Sequence, residues 1–420
     1  MYMILPRLFY GWLVLIGLSL TYAASSGILL NTLPLLYPTL ITEFGWDAAE
    51  VTRPASISFF ATAVLSLLVG YIIDKSTPRV LMVTGSVIFA ATIYAYSHIN
   101  SLGQMALIYC GLSIGFSLNG VLPSMVVVSR WFIQFRGIAV GILLMSSSVG
   151  GALLPLLVGP ILAESGWREV LFVVSFICVV LMIVPCLFIL KNRPEEINST
   201  PDGISLGISH NNERPKTMGV AGGIGVLQLM RMPIFYFVAF ATGVMWLCIS
   251  AVIQHQSIYL GSDLGIGGLM LSKVFFVFFV SSVIGKFAFG WLSDYFAKAD
   301  IMLLAAFNLI VGLIIFRFID ANNVISIYSY AFVYGVGFAG SFTMIQLVIA
   351  ELFAGPTYGR ILGTFVFIDT IAGGAGVLLL GEMRVATNSY LPAITFMIIL
   401  SFIALLTVFY IRHFLRLSHD

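Results

Sequence analysis

Apolar residues run along this chain in long blocks, each about the length of a bilayer crossing. A membrane-spanning helix needs about 20 mainly apolar residues. Twelve stretches qualify, at 9–38, 53–73, 79–98, 102–128, 137–162 and 167–190, then at 232–260, 267–292, 300–320, 324–351, 357–382 and 389–412. Period-two alternation is missing, and each block is too long for a strand, so every element is expected to be α-helical. The single long polar segment, Lys191 to Arg231, carries Pro194, Pro201 and Pro215 among Asn, Ser and Glu. Such a composition reads as a connecting loop. It divides the chain into an N-terminal six-helix bundle at 1–190, a loop at 191–231 and a C-terminal six-helix bundle at 232–420. The first apolar block continues as a full span and ends in no small-residue cleavage site, so it reads as the first helix rather than a removed signal peptide.

Composition agrees. Of the 420 residues, 60% are hydrophobic and 9% charged, against about 25% charged in soluble domains. Lipid can cover apolar surface that a water-soluble interior has no volume to hide. The formal net charge of +2 gives no footing for a nucleic-acid partner. Cys110, Cys178, Cys186 and Cys248 are scattered inside apolar blocks and fit neither a zinc site nor a disulfide framework. Gly335-x-Gly337-x-x-Gly340 matches a dinucleotide fingerprint by letter only, since it lies within a helix with no strand before it. With neither metal cluster nor nucleophile–base pair in the sequence, the expectation is a protein without cofactor and without enzymatic activity.

Lys and Arg placement gives an orientation. With the N-terminus inside, fourteen basic residues fall on the cytoplasmic side and four, Arg53, Arg168, Arg317 and Arg384, on the outer side. Both termini are therefore expected in the cytoplasm, as is the Asn198-Ser199-Thr200 sequon. The two halves also echo each other. Gly70-Tyr71-Ile72-Ile73-Asp74 closes the second helix and Gly290-Trp291-Leu292-Ser293-Asp294 the eighth. Gly115-Phe116-Ser117 in the fourth helix answers Gly337-Phe338-Ala339 in the tenth. Offsets of 220 and 222 point to a duplicated unit and a pseudo-symmetric pair of bundles. Transporters are often built so, with the solute site near the midplane between the halves.

Gly70-x-x-x-Asp74-Lys75-x-x-Pro78-Arg79 resembles the loop motif between the second and third helices of the major facilitator superfamily, with Thr77-Pro78 replacing the usual Gly before the basic pair. Phe9-Tyr10-Gly11-Trp12, Arg130-Trp131-Phe132 and Arg136-Gly137-Ile138-Ala139-Val140-Gly141 resemble the monocarboxylate transporter and oxalate:formate antiporter families within it. The resemblance implies a twelve-helix secondary transporter, acting as a monomer on a small organic acid in a bacterial inner membrane. An exporter or importer of a larger carboxylate-bearing metabolite, such as a siderophore, is the alternative. Asp74, Lys75, Arg79, Arg130, Arg136 and the repeat-related Asp294 are then candidates for a cytoplasmic gate.

Charges placed inside lipid are costly and are functional candidates by default. Lys286 lies eight residues before Asp294, about 12 Å into the membrane at 1.5 Å per residue. The resemblance puts it where related carriers hold a carboxylate-binding Arg. Asp369, about midway along the eleventh helix, falls where the oxalate antiporter has a second basic residue. Losing that base disfavours a dianion. A Lys286–Asp369 ion pair is expected, with Asp369 carrying a coupled proton and Lys286 released to the solute. His255, in Gln254-His255-Gln256-Ser257-x-Tyr259, is a second proton candidate, because imidazole titrates near neutrality. Tyr22, Asn31, Asn119 and Gln346 complete the expected solute contacts. The Gly150-Gly151, Pro155, Gly159 and Pro160 run of the fifth helix reads as a bending and close-packing element.

Overall fold

In the computed structural model, residues 9–75, 77–133, 135–203, 226–353 and 358–417 are described. Twelve helices are long and apolar enough to cross a membrane. They are α1 Tyr10–Phe44, α2 Ala48–Lys75, α3 Pro78–Tyr96, α4 Leu102–Trp131, α5 Arg136–Ser165 and α6 Trp167–Ile189. The second six are α7 Pro233–Asp263, α8 Gly268–Tyr295, α9 Lys298–Arg317, α10 Val324–Leu352, α11 Tyr358–Thr387 and α12 Leu391–Leu417. In lipid each backbone N–H and C=O needs a partner within its own segment, which helices alone supply for a chain of this pattern. The expected loop at 191–231 is not featureless: single helical turns occupy Pro194–Ile197, Pro201–Gly203 and Val226–Leu229.

The first helix runs on to Phe44, past the expected end at 38, even though Pro34 and Pro38 lie within it. The chain widens into a π-type turn at Gly27–Thr32 and tightens at Leu33–Leu36. Pro38 cannot donate to the Pro34 carbonyl. The Tyr37 N–H and the Ser257 hydroxyl of α7 supply the missing donors. A proline break is thus tolerated because a neighbouring helix satisfies the freed acceptor.

The sequence repeat has a packing meaning. A Cβ on Gly115 of α4 would stand 2.9 Å from Phe89 Cβ and 3.0 Å from the Gly85 carbonyl of α3. A Cβ on Gly337 of α10 would stand 2.8 Å from Leu309 N of α9. Each glycine lets the equivalent helix pair of its own half cross at backbone distance, the role small residues play in membrane bundles. Within the first half α3 packs on α4 and α1 on α5; within the second α9 packs on α10 and α7 on α11. The glycine run of α5 packs closely, as its composition suggests. Gly150 meets the Ala23 backbone of α1, and Gly151 meets Asn31 and, across the halves, Phe279.

The end of the bundle that holds the start of α1 is called here the terminal end, and the opposite end the distal end. Replacing Gly150 by Val should drive a side chain into the Ala23 backbone. Overpacking of this kind costs about 1–3 kcal/mol. A lowered melting temperature of the purified protein is expected, and an unchanged one would show that α1 and α5 are not in contact at this point.

Candidate functional site

Lys286 is 8% exposed and points across the boundary between the halves. Its ammonium donates to Ser148 Oγ at 2.6 Å, Ser147 Oγ at 3.3 Å and the Leu144 carbonyl at 3.3 Å, all on α5. Tyr22 of α1 turns its hydroxyl toward Ser147 and Ser26. The three donors of a lysine therefore find three neutral acceptors. Asp369, 6% exposed, accepts from Thr242 Oγ1 of α7 at 2.8 Å. Among the described residues no ion pair joins Lys286 to Asp369, and the expected pairing is corrected. The reason is azimuth. The α8 helix packs on α10 and α5, whereas α11 packs on α7 and α2. Depth along a helix is legible from residue spacing, but the neighbour it faces is not.

Of the other expected solute contacts, Gln346 lies half-buried two turns from Phe338 and one turn from Phe342 on α10, on the side that carries those rings toward Lys286. Asn31 sits beside Gly151 and leaves its Oδ1 without a partner. Asn119 is instead inside the first half, donating to Ser86 Oγ of α3 at 2.7 Å. Sequence reasoning missed Thr242, and also the aromatic residues Trp246, Phe338 and Phe342. The spacing Thr242–Trp246 on α7 repeats that of Asp369–Gly373 on α11, yet only contact reveals that the two pairs face each other.

The Gln254-His255-Gln256-Ser257 run of α7 spreads its side chains over several neighbouring helices. The Tyr37 hydroxyl of α1 donates to Gln254 Oε1 at 2.9 Å and is 2.8 Å from the Tyr109 hydroxyl. The Tyr330 hydroxyl of α10 donates to Gln256 Oε1 at 2.7 Å. Ser257 reaches α1, as described above. His255 is 1% exposed, with Nε2 2.9 Å from the Val377 carbonyl and Nδ1 2.7 Å from the Tyr390 hydroxyl. A carbonyl only accepts, so Nε2 carries the proton and Nδ1 accepts from Tyr390. Both nitrogens are engaged in joining α7 to α11 and α12, away from Lys286.

Among the described residues, close contacts between the halves include several at the distal end. There Arg53 of α2 pairs with Glu382 of α11 at 2.8 Å, and a Cβ on Gly381 would stand 2.9 Å from Thr52 Oγ1 and 3.1 Å from Ala49 Cα. Gly159 of α5 lies against Ser272 of α8, and Gly374 of α11 against Phe59 and Phe60 of α2. Near the terminal end, Gly141, Gly290 and Gly363 have nothing among the described residues within 4 Å of an added Cβ. Among the described residues α4 and α10 form no packed pair across the boundary. The structure is thus closed distally, as far down as Lys286.

The gate candidates divide. Arg79 caps the end of α6: its backbone N–H donates to Asn192 Oδ1 at 2.9 Å, and its guanidinium donates to the carbonyls of Cys186 and Leu187. Cations favour such a helix C-terminus. Arg130 lies in the last turn of α4, half-buried and in contact with a partner. Asp294 is exposed. The side chains of Asp74, Lys75 and Arg136 lie outside the described residues.

Twelve spanning helices, a duplicated glycine crossing, a buried Lys286 that reaches across the boundary of the halves and a buried Asp369 fit a membrane carrier. The family model of the Major Facilitator Superfamily matches residues 14–377, and the chain belongs to that superfamily. Its members are transporters that bind small-molecule solutes and work as monomers. The nucleoside transporter NupG superposes with a TM-score of 0.74 at 11% identity, over 96% of this chain and 99% of that one. The MFS-type transporter YcxA of Bacillus subtilis is 23% identical over 391 residues, 90% of each chain. The "Probable hexose phosphate transport protein" of Chlamydia muridarum is 24% identical over 281 residues, 62% of this chain and 59% of the relative. The chain thus spans about three-fifths of that chlamydial relative's length.

The Arg53–Glu382 pair is half-exposed, and pairs of this kind contribute about 0.2–1 kcal/mol. Glu382→Arg should raise the distally open population by up to about fivefold at that energy, read from spin-label distances between the distal ends of α2 and α11. The charge swap Arg53→Glu with Glu382→Arg should restore closure. If the swap leaves the distal end as open as the single variant, the pair does not hold it.

Proposed function

We propose that this chain is a secondary active transporter of a small carboxylate-bearing organic acid, coupled to protons and working by alternating access. The observation that carries the reading is Lys286, a buried ammonium at the boundary of the halves whose partners are all neutral. A positive charge at membrane depth costs about 2.5–3.5 kcal/mol on insertion scales, and a solute carboxylate is the partner that would offset it. The motif resemblance to the monocarboxylate and oxalate:formate carriers supports the same solute class. A phosphorylated sugar, the solute named for the chlamydial relative, also carries an anion that suits an ammonium, so glucose 6-phosphate belongs in the same panel.

In this reading the bundles 1–190 and 232–420 rock about the site, joined by the 191–231 loop. The terminal end faces the cytoplasm of a bacterial cell, and the closed distal end faces outward. Without solute, Lys286 ties α8 to α5 through Ser147 and Ser148. A carboxylate displaces those hydroxyls and transfers the tie to itself. Asp369, held among the described residues by Thr242, takes the coupled proton, so that the loaded site crosses with less net charge.

Lys286→Gln should abolish uptake of the organic acid or raise its KM at least tenfold while leaving the protein folded. Lys286→Arg should keep partial activity. Wild-type kinetics in Lys286→Gln would sink the carboxylate assignment. Asp369→Asn mimics the protonated acid. In proteoliposomes it should lose accumulation driven by an imposed pH difference, yet keep counterflow of labelled solute. Accumulation that persists in Asp369→Asn would place the proton elsewhere.

A further inference from the structure

Lys286 has a second set of neighbours besides the α5 hydroxyls. Its ammonium lies 4.9 Å from the centre of the Phe342 ring and 5.8 Å from that of Phe338. The Phe342 ring centre is 5.6 Å from that of Trp246, with 37° between the planes. The neighbouring rings Phe278 and Phe279 of α8 are fully enclosed. Phe342 and Trp246 are only half-buried. The indole lies over Gly373, where an added Cβ would come within 3.1 Å of Nε1. That glycine is one turn from Asp369 on α11, just as Trp246 is one turn from Thr242 on α7. The two rings therefore run as a shelf from the Lys286 side of the site to the Asp369 side, at the depth where the halves part.

We infer that this shelf selects carboxylates that carry an aromatic ring. The inference rests on the reading of Lys286 as the carboxylate's partner and adds what stands next to it. A carboxylate that takes the donors now given to Ser147 and Ser148 is held beside the Phe342 ring. The atoms attached to it must then lie along Phe342 and Trp246. While the ammonium is unpaired, the Phe342 face serves it as a cation–π partner. Pairing with a carboxylate neutralises the ammonium and leaves the face to the solute. An aromatic solute gains offset or edge-to-face contact there beyond what its buried area supplies, whereas a saturated ring of the same size gains area alone.

Benzoate and cyclohexanecarboxylate separate these cases, because they share charge and carbon count and differ in the π face. Binding to the purified full-length chain in lipid nanodiscs is measured by calorimetry and by quenching of tryptophan fluorescence. Benzoate should bind about three- to tenfold tighter than cyclohexanecarboxylate. In Phe342→Leu and in Trp246→Leu the ratio should fall to about one. A ratio near one in the unsubstituted protein, with both acids lost in Lys286→Gln, overturns the shelf and leaves the carboxylate reading standing. A preference for benzoate that survives both leucine substitutions also overturns the shelf and assigns Phe342 and Trp246 to helix packing. Failure of both acids to bind overturns the carboxylate reading and the shelf with it. The measurement on the unsubstituted protein decides the matter even if a leucine variant does not fold.

Discussion

A single ammonium buried in the bundle sets the terms for the rest of this structure. Lys286 cannot reach water easily, and a buried charge without partners is strongly unfavourable. Its side chain therefore crosses to the opposite half and collects Ser148, Ser147 and the Leu144 carbonyl. That crossing makes one residue both a candidate ligand and a link between α8 and α5. Any solute that competes for the ammonium must also change how the two halves hold each other. Binding and conformational change are then coupled through the same three hydrogen bonds, and a ligand shifts a conformational equilibrium only through such differential contacts.

The distal seal complements this arrangement. Above Lys286 the halves meet by backbone approach at glycines and by polar contacts whose two partners lie on different helices, such as Tyr37 with Gln254 and Arg53 with Glu382. Small residues permit close approach without chemical commitment, and half-exposed ion pairs contribute little each. A seal made of many weak contacts can be undone stepwise. A permanent buried Lys286–Asp369 pair would have given a stronger lock and a less mobile carrier. Keeping the two charges on separate helices, each with hydroxyl partners, leaves both open to exchange.

Much of the fold was legible in the sequence. Twelve apolar blocks became twelve helices, and the Gly115 and Gly337 echo became the same helix crossing in each half. Lys286 and Asp369, singled out as charges inside apolar blocks, are both buried in the bundle. What spacing could not give was the direction each side chain faces. A hydrophobic block shows no strong polar stripe when lipid and protein sides are both apolar, so the angular position of Asp369 on α11 is silent in the sequence. His255 illustrates a related limit. Its residue type suggests proton traffic, whereas the partners of its two ring nitrogens, Val377 and Tyr390, are more than a hundred residues away and silent in the local sequence. The run of α1 past Pro34 and Pro38 to Phe44 is silent in the sequence as well, because the rescue of a carbonyl by Ser257 depends on a helix from the other half.

The choice of lysine over arginine at this position then has a geometric reason. An ammonium has three donors directed tetrahedrally, and the acceptors offered by α5 are two adjacent hydroxyls and a carbonyl one turn earlier, grouped around one point. A guanidinium presents five donors in a plane. Its fork suits a single carboxylate better than it suits three acceptors clustered on one helix face. Lysine therefore fits the acceptors that α5 presents in this structure better than the planar fork of an arginine would. Since transport requires that the solute leave as well as bind, a compact cation that returns readily to α5 is suited to release on the far side of the cycle.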